Sequence, residues 1–157
     1  MRTELAADIE ARLREELRKA GRREIGGMLF AEQLAPGRFR VVDFSVDAFS
    51  GSHTAFRRDP VVHKKTLDQF FERTGRDFAR FNYLGEWHSH PSFSVYPSGD
   101  DIEAMTELVE DKRLLIDFAV LLIVRLRLRL WISHSLTVFA RGEAPRSAQI
   151  RQRVVWI

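Results

Sequence analysis

The chain has 157 residues, of which 45% are hydrophobic and 30% charged, with a formal net charge of +3; these values predict a single globular domain over residues 1–157. It contains no cysteine, which excludes disulfides, cysteine-ligated zinc and thiol nucleophiles. The charged first residues do not resemble a signal peptide, and no apolar run approaches the roughly 18 residues of a membrane span, so we expect a cytoplasmic protein without membrane attachment.

The first half of the chain predicts two helices with a β-hairpin between them. From the spacing of apolar residues and the turn signals, these elements are expected over residues 3–20, 24–30, 38–46 and 59–73. Pro36 and Gly37 supply the hairpin turn. A polar loop over residues 48–58 precedes the second helix, in which Asp59 is the expected N-cap and Pro60 the first helical residue.

The second half predicts a strand, a loop between two prolines, a helix and three more strands. They are expected over residues 81–90, 91–97, 98–111, 118–124, 125–131 and 136–140. Arginine and leucine alternate from Arg125 to Trp131, the period-2 pattern of a half-exposed strand. The last residues, 154–157, are expected to pack back onto the domain. This order of elements predicts one α/β domain with a mixed β-sheet.

Two histidines and an aspartate with a distinctive spacing are the most informative motif in the sequence. His88 and His90 are two residues apart on a predicted strand, so their imidazoles point to the same face. After seven intervening residues, Ser98 begins a helix whose first turn carries Asp101. Three protein ligands with one open position are typical of a catalytic zinc site, whereas structural zinc sites have four.

Each half of this motif also has an ordinary explanation. Two histidines on a strand are more often surface or core residues than ligands. Ser98 and Asp101 resemble a helix capping box. For a chain with this content of His, Ser and Asp, the complete spacing is expected by chance in roughly one sequence in two thousand, which favours the metal site.

A zinc hydrolase also needs a general base, and the residues offer two candidates. Glu86 lies two residues before His88, on the same strand face. Glu24 precedes an apolar strand whose first glycines, Gly26 and Gly27, allow a backbone or substrate to approach closely. The residues alone leave both candidates open.

The pattern Glu24…His88-x-His90-x(7)-Ser98-x-x-Asp101 resembles the signature of the JAMM/MPN (JAB domain) zinc metalloproteases. The resemblance implies a single MPN-type domain, a mixed β-sheet flanked by helices in a cytidine-deaminase-like layering. It implies one Zn²⁺ per chain, held by His88, His90 and Asp101. It also implies that Glu24, rather than Glu86, is the general acid/base and that Ser98 donates a hydrogen bond to the oxyanion.

The stretch from Phe81 to Pro91 is most similar to compact bacterial members of this family. Those members are deubiquitinase-like isopeptidases, often encoded beside ubiquitin-like conjugation enzymes in antiphage operons. The resemblance therefore implies hydrolysis of a peptide or isopeptide bond after the C-terminal glycine of a ubiquitin-like protein. The implied partners are that protein or its conjugate and a neighbouring activating or conjugating enzyme; the substrate-binding residues are unknown from the sequence.

Other functions remain open at this point. The same chemistry would suit a peptidase acting on a sulfur-carrier protein or a small peptide, and the same fold could be a non-catalytic MPN scaffold. Nucleic-acid binding is disfavoured, because Arg125, Arg127 and Arg129 have the spacing of a solvated strand face. A zinc deaminase would need two cysteine ligands, which the chain lacks. The other histidines, His53, His63 and His134, have no partner spacing and are expected to be ordinary surface or packing residues.

Overall fold

The computed structural model describes residues 1–47 and 60–152. The expected N-cap Asp59, the loop over residues 48–58 and the docking of residues 154–157 lie outside them. The described elements, in chain order, are β1 (Arg2–Leu5), α1 (Ala7–Ala20), β2 (Gly26–Ala35), β3 (Arg38–Phe44), α2 (Pro60–Arg73), β4 (Phe81–Ser89), α3 (Gly99–Glu110), β5 (Phe118–Arg127), β6 (Trp131–Ala140) and β7 (Arg146–Gln152). Within those two stretches, no helix has the length and apolarity needed to cross a membrane.

The strands form one closed barrel in the order β1-β3-β2-β4-β5-β6-β7. The sheet is mixed: β1 pairs in parallel with both β3 and β7, and β4 pairs in parallel with β5. The other pairs are antiparallel. The expectation of a helix-flanked sheet with cytidine-deaminase-like layering is therefore wrong, since the pairing of β1 with β7 closes the sheet on itself.

The sequence does not predict the two strands that close the barrel, β1 and β7, because neither has a clear strand pattern. The sequence predicts residues 3–5 to be helical, because Leu5 continues the four-residue spacing of Ile9. They belong instead to β1, and the helix begins at Ala7. Strand β7 lies in the polar tail and alternates exposed polar residues with half-buried Ala148 and Ile150.

The predicted strand from Arg125 to Trp131 is also wrong, because the chain turns inside it. Strand β5 continues to Arg127, and Leu128 and Arg129 then adopt positive φ angles of 48° and 59°. Strand β6 starts at Trp131, earlier than the expected start at Leu136. Positive φ is rare for a leucine, and no glycine or asparagine marks this turn in the sequence.

Helices α1 and α3 pack on opposite faces of β5. Strand residues Val120, Leu122 and Val124 join the buried face of α1 in one core cluster. The alternate residues Ala119, Leu121 and Ile123 join α3 in a second cluster.

Helix α2 packs against β2, where Phe70 stacks on Phe30 with ring centroids 4.5 Å apart. Because Ile123 is paired with His88 of β4, the α3 side of the sheet is the side on which His88 lies.

Candidate metal centre

The end of β4 separates its residues onto two faces as the sequence predicted. Trp87 is fully buried in the core cluster of α1, and its indole nitrogen donates to the Ser45 carbonyl over 2.8 Å. Ser89 is also buried, and its hydroxyl accepts a hydrogen bond from the Ile25 amide over 3.0 Å. His88, which lies between them, therefore projects from the opposite face of the strand.

The structure brings the three predicted ligands together. The Nε2 atoms of His88 and His90 are 3.0 Å apart, and the Asp101 carboxylate lies 3.3 Å from the first and 3.7 Å from the second. Four ligands bound to tetrahedral zinc at about 2.0–2.1 Å lie about 3.3–3.4 Å from one another. The three side chains therefore fit one zinc-sized ion, and they are the one such cluster of His and carboxylate groups found in residues 1–47 and 60–152.

The second ring nitrogen of His90 has a backbone partner. His90 Nδ1 lies 2.6 Å from the carbonyl oxygen of Ser94. Since a carbonyl can only accept, this nitrogen carries the proton and Nε2 keeps its lone pair in neutral His90. Histidine ligands are commonly oriented in this way. The sequence did not indicate this contact, because it involves a main-chain atom of the loop.

Asp101 is held by the start of α3. Ser98 and Asp101 form a reciprocal capping box: the Asp101 amide donates to Ser98 Oγ over 3.2 Å, and the Ser98 amide donates to Asp101 Oδ2 over 2.7 Å. The Ser98 hydroxyl also donates to Oδ2 over 2.7 Å. The capping interpretation and the ligand interpretation are thus compatible, since the same contacts aim the carboxylate at the histidines.

The electrostatics of this site favour an ionised carboxylate. Burial on its own would raise the pKa of the Asp101 carboxyl group. The hydrogen bond and charge of His88, together with the bonds from Ser98, outweigh burial and hold that pKa well below its usual range. Asp101 is consequently available as an anionic ligand throughout the physiological pH range.

Glu24 lies two residues before β2, the strand that pairs with the histidine-bearing strand β4. Gly26 is paired with His88, and the Ser89 amide donates to the Ile25 carbonyl over 2.8 Å. Continued two residues past the Gly26–His88 pair, the same register would set Glu24 opposite His90. Opposite residues of an antiparallel pair share a face, so this register would direct the half-buried Glu24 to the side of the candidate ligands.

Glu86, the second candidate for the general base, is buried beside a cavity. Its side chain is only 5% exposed and accepts a hydrogen bond from the Tyr83 hydroxyl over 3.3 Å. It lines a cavity of about 720 Å³ between α2, β4 and the segment after α3, together with Met28, Leu67 and other apolar residues. The cavity was not predicted, because it is formed by segments distant in sequence.

The two other histidines that the structure describes do not join the cluster. His63 lines the same cavity. His134 of β6 is half-buried, and burial lowers the pKa of its imidazole. His53 lies outside the described residues. Of the histidines that the structure describes, only His88 and His90 lie in the candidate metal centre.

The sequence of this chain is similar to that of a known protein family. The family model described as prokaryotic homologs of the JAB domain matches residues 6–137. A CD-NTase/cGAS isopeptidase from Enterobacter hormaechei subsp. hoffmannii (strain UCI 50) is 30% identical over 148 residues, which cover 88% of this chain and 73% of that protein.

Two solution structures are similar in fold. A protein from Desulfitobacterium hafniense superposes with a TM-score of 0.72 at 16% identity, covering 96% of this chain and 92% of that one. A protein from Salinibacter ruber superposes with a TM-score of 0.59 at 20% identity, covering 95% and 90% of the two chains. At these identities the likeness concerns the fold alone.

Proposed function

The chain belongs to the prokaryotic JAB-domain family, and on that premise we propose that it is a zinc-dependent isopeptidase acting on a ubiquitin-like protein. The observation that carries the proposal is the convergence of His88 Nε2, His90 Nε2 and the Asp101 carboxylate within 4.8 Å of one another. Three protein ligands leave one position for water or substrate, as catalytic zinc sites require. Zinc bound there would act as a Lewis acid, polarising the scissile carbonyl and making water more acidic.

Glu24 is the proposed general acid/base. Its carboxylate takes a proton from the attacking water, the water oxygen bonds to the carbonyl carbon, and the C–N bond then breaks as Glu24 returns the proton to the leaving amine. Its place two residues before the Gly26–His88 pair and its partial exposure support this role. Glu86 is a weaker candidate because it is nearly fully buried and already accepts a hydrogen bond from Tyr83.

Ser98 is the proposed hydrogen-bond donor to the oxyanion. Its side chain is exposed at the start of α3, so it is accessible to substrate. Its single hydroxyl proton is directed to Asp101 Oδ2 here, and it must turn toward the substrate to stabilise the oxyanion. Asp101 Oδ2 keeps the hydrogen bond from the Ser98 amide during this change, so the carboxylate stays oriented.

The substrate proposal comes from the relative and from the motif. The Enterobacter hormaechei protein is named as an isopeptidase of CD-NTase/cGAS. We therefore place this chain in an antiphage pathway, where it removes or matures a ubiquitin-like protein by cleaving after its C-terminal glycine. A neighbouring activating or conjugating enzyme would supply the conjugate.

Metal content and cleavage of defined substrates test this function together. We expect about one zinc per chain by elemental analysis, and loss of both zinc and activity on chelation and in His88→Ala. His134→Asn, which changes a half-buried strand histidine outside the cluster, should retain both. The substrates to compare are a ubiquitin-like protein joined through an isopeptide bond, a sulfur-carrier fusion and a short peptide.

The outcomes separate the candidate functions. Selective cleavage of the isopeptide-linked substrate supports the proposal. Preference for the sulfur-carrier fusion or the peptide would replace it with the alternative peptidase. Stoichiometric zinc without cleavage of any of the three would indicate a scaffold, and a chain that binds no zinc would contradict the proposed chemistry.

A further inference from the structure

The loop between β4 and α3 is held to the rest of the domain by hydrogen bonds to its main-chain carbonyls. The side chains of Ser92, Phe93, Ser94 and Tyr96 are exposed. The main chain, in contrast, is bound from three sides: the carbonyls of three successive residues, Phe93 to Val95, each accept a hydrogen bond from a different part of the domain. The middle carbonyl, of Ser94, is the partner of His90.

The two outer carbonyls are bound by β5, which is next to β4, and by β6, which is next to β5. Arg125 of β5 donates from Nη1 to the Phe93 carbonyl over 2.9 Å. Ser135 of β6 donates from its hydroxyl to the Val95 carbonyl. Because peptide groups are planar and consecutive, fixing the carbonyls before and after Ser94 restricts the direction in which the Ser94 carbonyl points.

The direction of the Ser94 carbonyl determines which ring nitrogen of His90 carries the proton. The Ser94 carbonyl accepts from His90 Nδ1 over 2.6 Å and so keeps the lone pair on Nε2, the atom nearest to His88 and Asp101. If the carbonyl turned away, the tautomer protonated at Nε2 would become populated, and a protonated nitrogen cannot bind a metal.

We propose that Arg125 and Ser135 are positioning residues of the metal centre, which act through the loop backbone to fix the orientation and tautomer of His90. This inference rests on the proposed function, since it assigns these residues a task only if the cluster binds zinc. It also gives Arg125 a role that the alternating Arg-Leu pattern did not indicate, since that pattern predicted a solvated face.

The loop has a second anchor that does not depend on these bonds. The Val95 side chain packs against the core cluster formed by α3, β5 and β6. Loss of the Arg125 or Ser135 hydrogen bond should therefore leave the domain folded and the loop attached. The expected consequence is a defect in metal binding larger than the defect in stability.

The test compares Arg125→Met and Ser135→Ala, alone and combined, with matched controls on the same strands. The controls are Arg127→Met and Ser133→Ala, each two residues away and on the same strand face. Zinc affinity is measured by competition with a chromophoric chelator, and the stability of the metal-free proteins by urea unfolding.

We expect each single variant to bind zinc about 3- to 10-fold more weakly, and the double variant about 10- to 100-fold, the usual effect of removing a group that orients a metal ligand. Arg125→Lys and Ser135→Thr, which retain donors, should recover most of the affinity. The controls should bind like the wild type, and metal-free stability should change little in every variant.

Wild-type zinc affinity in the double variant would overturn the inference while leaving the proposed function intact. An equal loss of affinity in the controls would overturn it as well, since the effect would then not be specific to the loop contacts. A wild-type protein that binds no zinc at all would instead contradict the proposed function.

Discussion

Gly26 of β2 lies against His88 of β4 so closely that no β-carbon fits between them. The two residues are paired across the antiparallel ladder. A Cβ placed on Gly26 would lie 2.5 Å from the Trp87 carbonyl oxygen and 2.8 Å from His88 Cβ. The glycine after Glu24 and Ile25 is thus required by the close approach of the strand that carries the histidines.

Gly26→Ala should therefore damage the metal centre as well as the fold. The added methyl group must displace β4 backbone or the His88 side chain, and such overpacking typically costs about 1–3 kcal/mol in the free energy of unfolding. We expect a loss of that size in urea unfolding together with weaker zinc binding. Gly99→Ala is the control, because a Cβ on Gly99 meets nothing within 4 Å. An unchanged zinc affinity in Gly26→Ala would show that the packing at Gly26 does not position His88.

Glu24→Gln should remove the general base and keep the metal. The amide has nearly the same shape but cannot accept a proton, so kcat should fall by roughly 10²–10⁴, the usual value of a general base, with zinc content unchanged. Glu86→Gln is the comparison, and we expect it to retain most of the activity. A larger loss of kcat in Glu86→Gln than in Glu24→Gln would reverse the assignment.

The candidate ligands could be predicted from sequence because their arrangement is local. Two residues on the same face of a strand, and an aspartate in the first turn of a helix capped by serine, depend on short-range rules. The structure brings His88, His90 and Asp101 together accordingly. It also places the Ser98–Asp101 capping box at the same point.

The closure of the barrel could not be predicted, because it depends on pairing between distant segments. Strand β1 has four residues, too few to show a period of their own, and Leu5 is in phase with the helix that follows. Strand β7 is polar, and the partner that closes the barrel, β1, lies 147 residues earlier in the chain, since Arg2 pairs with Gln149. The cavity beside Glu86 could not be predicted for the same reason, because its walls come from α2, β4 and the segment after α3.

Ser98 has two tasks that mutation can separate. Ser98→Ala removes both the N-cap and the proposed oxyanion donor, so we expect a loss of about 1 kcal/mol in unfolding free energy and a fall in kcat of about 10²–10³. Ser98→Gly removes the same hydroxyl, but glycine is a tolerable N-cap that costs only a few tenths of a kcal/mol. Equal losses of kcat with unequal losses of stability would support both roles. A loss of kcat below about tenfold in both variants would leave Ser98 with the capping role alone.

His134 should make the domain less stable in mild acid. Burial lowers the pKa of its imidazole, while the backbone hydrogen bond at Ile132 and the charge of Glu10 act in the opposite direction. An unfolded histidine has a pKa of about 6.5, so below that pH the unfolded chain binds the proton before the folded protein does. Stability at this site is therefore complete above about pH 6.5 and is lost as the pH falls toward the lower folded-state pKa. In urea unfolding of the metal-free protein at about pH 7.5 and about pH 5.5, the decrease should be smaller for His134→Asn than for the wild type. His88 and His90 are present in both proteins, so the difference reports on His134, and identical decreases would show that its burial does not affect acid stability.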